Sequence, residues 1–153
     1  MSISIGDNIP TLTVATTKNS EFKLADLQGK KCVLYFYPRD NTPGCTQEGK
    51  DFTENYGNFQ QLNTVILGVS TDSLKKHQNF IEKFSFPFDL IADTEEELCK
   101  AMDVIKEKNM YGKKYMGIER STFIFNENGI LTHEFRKVRV KGHVEAVLAA
   151  LNE

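Results

Sequence analysis

Residues 33–52 read V-L-Y-F-Y-P-R-D-N-T-P-G-C-T-Q-E-G-K-D-F, and the fold turns on how that run is parsed. Val33 to Tyr37 are five consecutive apolar or aromatic residues, the pattern of a strand buried on both faces of a sheet. Pro38, Asp40, Asn41, Pro43 and Gly44 then resist regular structure. Thr46, Gln47 and Glu48 follow, and an apolar spacing at Phe52, Tyr56 and Phe59 predicts a helix. Cys45 thus falls where a strand has ended and a helix begins.

The first turn of a helix offers unpaired N–H groups and the positive end of the macrodipole, and both favour an anion. A thiolate is well served there. A lone cysteine is more often a small buried hydrophobe. Cys45, however, lies in a polar turn bounded by glycine and proline, which favours the reactive reading.

The segment Y-P-R-D-N-T-P-G-C-T-Q-E resembles the active-site segment of the peroxiredoxins, thiol-dependent peroxidases on a thioredoxin-like fold, and most closely the bacterioferritin comigratory protein or peroxiredoxin Q subfamily. The family pattern is a proline, three residues, a threonine, two residues and the peroxidatic cysteine; Pro38, Thr42 and Cys45 stand at that spacing. The likeness extends along nearly the whole chain. It includes an arginine ahead of a late strand, Arg120 in I-E-R-S-T-F-I-F.

At 153 residues, with 40% hydrophobic and 26% charged positions, the chain is expected to form one domain, residues 1–153, with a real core. A net charge of -2 leaves no basic field for a phosphate backbone, so nucleic acid is not an expected partner. Residues Met1 to Pro10 include Asp7 and lack the apolar core of a secretory signal, and no stretch reaches membrane-spanning length. A cytoplasmic protein with no membrane partner is expected. Cys32, Cys45 and Cys99 have no metal-ligand spacing and form no C-x-x-C, which favours free thiols in a reducing compartment.

Leu12 to Ala15 and Glu21 to Lys23 read as an N-terminal hairpin around T-K-N-S. Val65 to Ser70 is a second buried strand, followed by Asp72 or Ser73 as N-cap and a helix with Leu74, His77, Phe80, Ile81 and Phe84 inward. F-P-F-D-L-I-A-D reads as a peripheral strand. Thr94 and Glu97 have capping-box spacing for a helix carrying Leu98, Cys99 and Met102. Lys106 to Gly117 reads as a solvated loop, Ser121 to Phe125 and Ile130 to Phe135 as a hairpin about N-E-N-G, and Val144, Val147, Leu148 and Leu151 as the stripe of a last helix. This alternation predicts an α/β fold with helices on both faces of a sheet that is antiparallel in part. The resemblance adds the thioredoxin-like order: a central mixed sheet with an N-terminal hairpin extension.

An ordinary thiol of pKa about 8.5 is about 3% ionised at neutral pH, so full ionisation raises the thiolate population only about thirtyfold. Nucleophilicity falls with pKa and takes back part of that gain. Reducing a peroxide must therefore depend mainly on aligning the O–O bond with the sulfur and stabilising the departing oxygen. The resemblance implies the parts. Thr42 bridges thiolate and peroxide, Arg120 donates to sulfur and oxygens, the N–H groups of Gly44 and Cys45 complete the cradle, and Pro38 shields the sulfur and limits the site to small hydroperoxides. Glu48 either orients the arginine, as is common in the family, or simply complements the helix start.

Many subfamily members carry a resolving cysteine five positions after the peroxidatic one, where this chain has Lys50, or in the next helix, which here has none. Cys99 shares a stripe with Leu98 and Met102 and reads as core in preference to a resolving thiol, and Cys32 likewise. The expected cycle is one-Cys, with an outside thiol from thioredoxin, glutaredoxin or a small thiol reducing a Cys45 sulfenic acid. No metal, haem or flavin is implied, and the protein is expected as a monomer or weak homodimer. His77, His133 and His143 read as surface or satisfied core histidines. Two other classes share the same sequence features: a Cys45–His acyl-transfer enzyme, and a thioredoxin-like exchange or binding module without peroxidase turnover.

Overall fold

The computed structural model describes residues 3–153; Met1 and Ser2 of the N-terminal stretch lie outside the described residues. The run Val33 to Tyr37 does become the centre of the sheet. Strand β3, Lys31–Phe36, pairs in parallel with β4, Thr64–Ser70, and antiparallel with β8, Ser121–Phe125. Outside these lie β5, Asp89–Ala92, parallel to β4, and β9, Leu131–Phe135, antiparallel to β8. The order is β5-β4-β3-β8-β9, so the sheet is mixed and F-P-F-D-L-I-A-D supplies one edge, as its position in the pattern predicts.

Side chains of β3 alternate between two cores because successive Cβ atoms leave opposite faces of a strand. Val33, Tyr35 and Tyr37 face a cluster with Cys45, Phe52, Phe59, Phe80 and Val144. Four helices cover that face: α1 (Pro43–Glu54), α2 (Tyr56–Gln61), α3 (Leu74–Phe84) and α5 (His143–Leu151). Cys32, Leu34 and Phe36 face the other cluster, with Leu24, Leu98, Cys99 and Met102. Here the cover is α4 (Glu97–Ala101), a short 3-10 turn and the ribbon of β1 (Thr13–Val14) with β2 (Phe22–Lys23), the expected N-terminal hairpin. Helices therefore lie on both faces, unequally.

The first face is aromatic. Tyr35 stacks on Phe52 with ring centroids 4.6 Å apart, and Phe52 tilts against Phe59 at 5.6 Å. Each such buried ring is worth about 1.5–3 kcal/mol of burial, and truncating Phe52 would cost about 3–5 kcal/mol once its cavity is counted. Gly49 on α1 admits Phe86 to the same cluster: a Cβ there would meet the Phe86 ring at 2.4 Å.

Three local expectations are corrected. The single helix through Phe59 breaks at Asn55, whose side chain donates to Asp51 O at 2.9 Å and so competes with the helical backbone. Thr94 does not cap α4; both Asp93 carboxylate oxygens do, accepting from the N–H groups of Leu98 at 3.1 Å and Cys99 at 2.7 Å. Of the two N-cap candidates for α3, Ser73 fills the position, with Lys76 N–H donating to the serine hydroxyl. The solvated loop at 106–117 is an antiparallel ribbon, β6 (Ile105–Met110) with β7 (Lys113–Ile118), turned at Tyr111 and Gly112, both at positive φ. It has no apolar alternation to read because both its faces are largely exposed.

Candidate active site

Strand β3 ends under the aromatic face, and the chain needs residues 37–42 to turn into α1. Thr42 is the N-cap with extended φ and ψ, and Pro43 opens the helix, where a missing N–H costs nothing. The next N–H groups, those of Gly44 and Cys45, have no carbonyl one turn back to bond. Cys45 is only 2% exposed. Its sulfur is nonetheless no hydrocarbon-sealed thiol, because Arg120 Nη2 donates to Sγ at 3.3 Å.

Arg120 arrives from the residue before β8, and β8 lies beside β3 with Phe36 opposite Ser121, so the register of that pair sets the arginine at the end of the central strand. Its Nη1 donates to Glu48 Oε1 at 2.6 Å, one turn along α1 from the sulfur. The bidentate use of one planar guanidinium fixes its orientation. Burial would lower the arginine's pKa, but the facing Glu48 and Cys45 more than compensate and hold it raised. A Cβ on Gly44 would come within 3.2 Å of Arg120 Nη2, so the absence of a side chain there leaves room for the cation.

Glu48 is fully buried, and burial pushes its carboxyl up to about 7 against the pull of Arg120. Its second oxygen, Oε2, has no hydrogen-bond partner and lies 4.0 Å from His143 Nε2, which is itself 2.8 Å from Thr122 Oγ1. Burial and the nearby arginine lower His143 to about 4. Neither His143 nor Thr122 was signalled by the sequence, where they stand 95 and 74 residues from Glu48 with no motif to join them.

The other expected residues fall as follows. Thr42 is close by in the chain but its hydroxyl donates to Arg39 O at 3.0 Å, so the sulfur's hydrogen bond comes from Arg120 and not from the threonine. Pro38 is half-buried, between buried Tyr37 and exposed Arg39. Cys99 sits on the opposite face of the sheet from Cys45, in the other core. Burial raises the Cys32 thiol to about 12 and pushes Cys99 higher, with Asp93 adding to the effect. The imidazoles are engaged elsewhere: His77 with Asp40 and Ile91 O, His133 with Thr132 and Glu153, His143 with Thr122. Among the described residues no histidine bonds the Cys45 sulfur, which leaves the acyl-transfer reading without its base.

The mixed central sheet with helices on both faces is the thioredoxin-like fold of the peroxiredoxins. The chain belongs to the AhpC/TSA family, whose family model matches residues 5–134, and within it to the Bcp or peroxiredoxin Q group. It is 48% identical to peroxiredoxin Bcp of Bacillus subtilis over 153 residues, all of this chain and 98% of that one. It is 55% identical over 123 residues to peroxiredoxin Bcp of Xanthomonas campestris, 80% of this chain and 77% of that one. The fold matches, at a TM-score of 0.91 and 46% identity, a structure of the X. campestris bacterioferritin comigratory protein described for its alkyl peroxide reduction activity, covering 97% of this chain and 98% of that one.

Proposed function

We propose that this peroxiredoxin reduces hydrogen peroxide and small organic hydroperoxides through Cys45, in a one-Cys cycle closed by an external thiol. The sulfur attacks the nearer peroxide oxygen; the O–O bond breaks, Cys45 becomes a sulfenic acid, and the other oxygen leaves as water or an alcohol after taking a proton. The observation that carries this is the 3.3 Å approach of Arg120 Nη2 to Cys45 Sγ, which puts a fixed cation where negative charge begins on sulfur and passes to oxygen. The N–H groups of Gly44 and Cys45 are the further donors, and Thr42 Oγ1, with its own proton given to Arg39 O, is left to accept the proton of a bound peroxide. Pro38 covers the sulfur. Glu48 fixes the arginine.

The one-Cys cycle is supported by the sheet lying between Cys45 and Cys99, and by Lys50 and α3 supplying no second thiol. A dithiol protein of thioredoxin type, or a small thiol, is then the reductant. We take residues 1–153 to act as one domain, as a monomer or weak dimer in the cytoplasm; among the described residues no helix is long and apolar enough to cross a membrane. Hydrogen peroxide consumption with a thiol donor tests the proposal. Cys45→Ser should lose it and Cys32→Ser and Cys99→Ser keep it, whereas equal rates for wild type and Cys45→Ser would discard the peroxidase reading and leave a binding or exchange module.

A further inference from the structure

The loop leading into Cys45 is tied down on its far side by a hydrogen-bond cluster that the peroxide chemistry does not use. His77 is fully buried and Asp40 nearly so. Asp40 Oδ1 accepts from the Tyr37 hydroxyl at 2.6 Å, and Asp40 Oδ2 lies 2.6 Å from His77 Nδ1. His77 Nε2 lies 2.9 Å from Ile91 O, which can only accept, so Nε2 carries a hydrogen and one further proton is shared between Nδ1 and the carboxylate. The Asp40 N–H donates to Asp72 Oδ2 at 2.7 Å, and Ser70 Oγ donates to the same oxygen at 2.7 Å. Lys83 Nζ donates to Asn41 Oδ1 at 3.4 Å. One short loop is thus fastened to the end of β3, the end of β4, β5 and α3. Asp40, Asp72 and His77 also have the spacing of a cation site, but both ring nitrogens are already committed, so the cluster is a clasp.

The two halves of the catalytic cycle make opposite demands on this loop. Oxidation by a small peroxide needs Arg120, Gly44 N–H and Cys45 N–H held in register, which is the seated loop. Reduction converts Cys45–S–OH and R–SH to Cys45–S–S–R and water, with the incoming sulfur in line with the S–O bond; a second thiol then releases Cys45 and R–S–S–R. With Cys45 only 2% exposed, a thiol borne on a protein cannot reach its sulfur while the loop is seated.

We propose that the buried Asp40–His77 pair is the latch that sets this balance, making His77 a positioning residue that acts on Cys45 through residues 38–44. The proposal rests on the peroxidase reading and deepens it. Loosening the latch shifts the loop's population from seated to open, slowing one half-reaction and speeding the other.

Rapid mixing that follows each half-reaction separately tests this, with hydrogen peroxide as oxidant and reduced thioredoxin as the protein thiol. His77→Phe and Asp40→Ala should slow oxidation about tenfold or more and speed reduction about threefold or more, since each removes a charge-assisted hydrogen bond. Asp40→Asn is the conservative control. With imidazole neutral and protonated at Nε2, Nδ1 accepts from the new amide, the amide oxygen accepts from Tyr37, and the clasp survives; both rates should stay within about twofold of wild type. Should His77→Phe fail to fold, Asp40→Ala against Asp40→Asn carries the test, because Asp40→Ala leaves the His77 bond to Ile91 in place. Both half-reactions slowing together, neither moving, or Asp40→Asn behaving as Asp40→Ala would overturn the latch. Wild-type Cys45 failing to oxidise at all would overturn the peroxidase reading beneath it.

Discussion

Arg120 donates from Nη2 to the sulfur of Cys45 at 3.3 Å, across 75 residues of chain. The contact exists because β8 runs antiparallel to β3 and delivers residue 120 to the point where β3 gives way to the loop. Its other amine is held by Glu48 at 2.6 Å, so the cation is aimed before any substrate arrives. Such pre-aimed charge stabilises a transition state without reorganisation at the moment of reaction.

The first prediction separates acidifying the thiol from stabilising oxygen. Arg120→Ala should slow second-order oxidation of Cys45 by about 10²–10³-fold, and the deficit should persist at a pH where the thiol is fully ionised. Rapid-mixing rates across pH measure it. Full recovery at high pH would reduce the arginine to an acidifying role.

Gly44→Ala offers a subtler probe of the same cation. The new methyl meets Nη2 at 3.2 Å, so the guanidinium tip must give by a few tenths of an ångström. Alanine is favoured over glycine within a helix by about 1 kcal/mol. Peroxidase activity should drop several-fold while the melting temperature holds or rises. Unchanged activity would mean that the arginine tolerates displacement.

Glu48 and His143 impose opposite pH dependences on stability. Burial raises Glu48 from 4.5 to about 7, so between those values the folded state holds a proton that the unfolded state has lost, and this contribution falls as pH rises. Burial and Arg120 lower His143 from 6.5 to about 4, so the unfolded state binds more protons there and this contribution grows as pH rises. The two nearly cancel between about pH 4.5 and 6.5. Glu48→Gln leaves the histidine contribution alone, and denaturant titrations should show the variant gaining stability relative to wild type with rising pH, by about 1 kcal/mol per pH unit across that window. Parallel curves would refute the opposition.

A sulfenic acid with no neighbouring thiol stays open to a second peroxide. With excess peroxide and scarce donor, intact mass should show two added oxygens, mapped to Cys45 as sulfinic acid. Loss of two hydrogens with a Cys45–Cys99 crosslink would contradict the one-Cys cycle.

What could be read from the sequence was what local pattern controls. Residues 33–52 declare a buried strand, a broken turn and a helix start in order, because each depends on residues beside it in the chain. Arg120 was legible only through family likeness, since nothing in I-E-R-S-T-F-I-F states which strand it will lie beside. The break at Asn55 and the Asp93 cap were missed for a common reason: each is a short polar side chain choosing one backbone partner over another. The β6–β7 ribbon was hidden because an exposed ribbon needs no apolar alternation. The partners of His77 and His143 lie in the loop before α1, in β5 and in β8, so no spacing could announce them.

Trapping the first oxidation product tests the central claim most directly. Reduced protein given one equivalent of hydrogen peroxide in the presence of dimedone, then digested and mapped, should carry the adduct on Cys45, with Cys32 and Cys99 unmodified. An adduct on either of those two buried thiols, with Cys45 still reduced, would contradict the account.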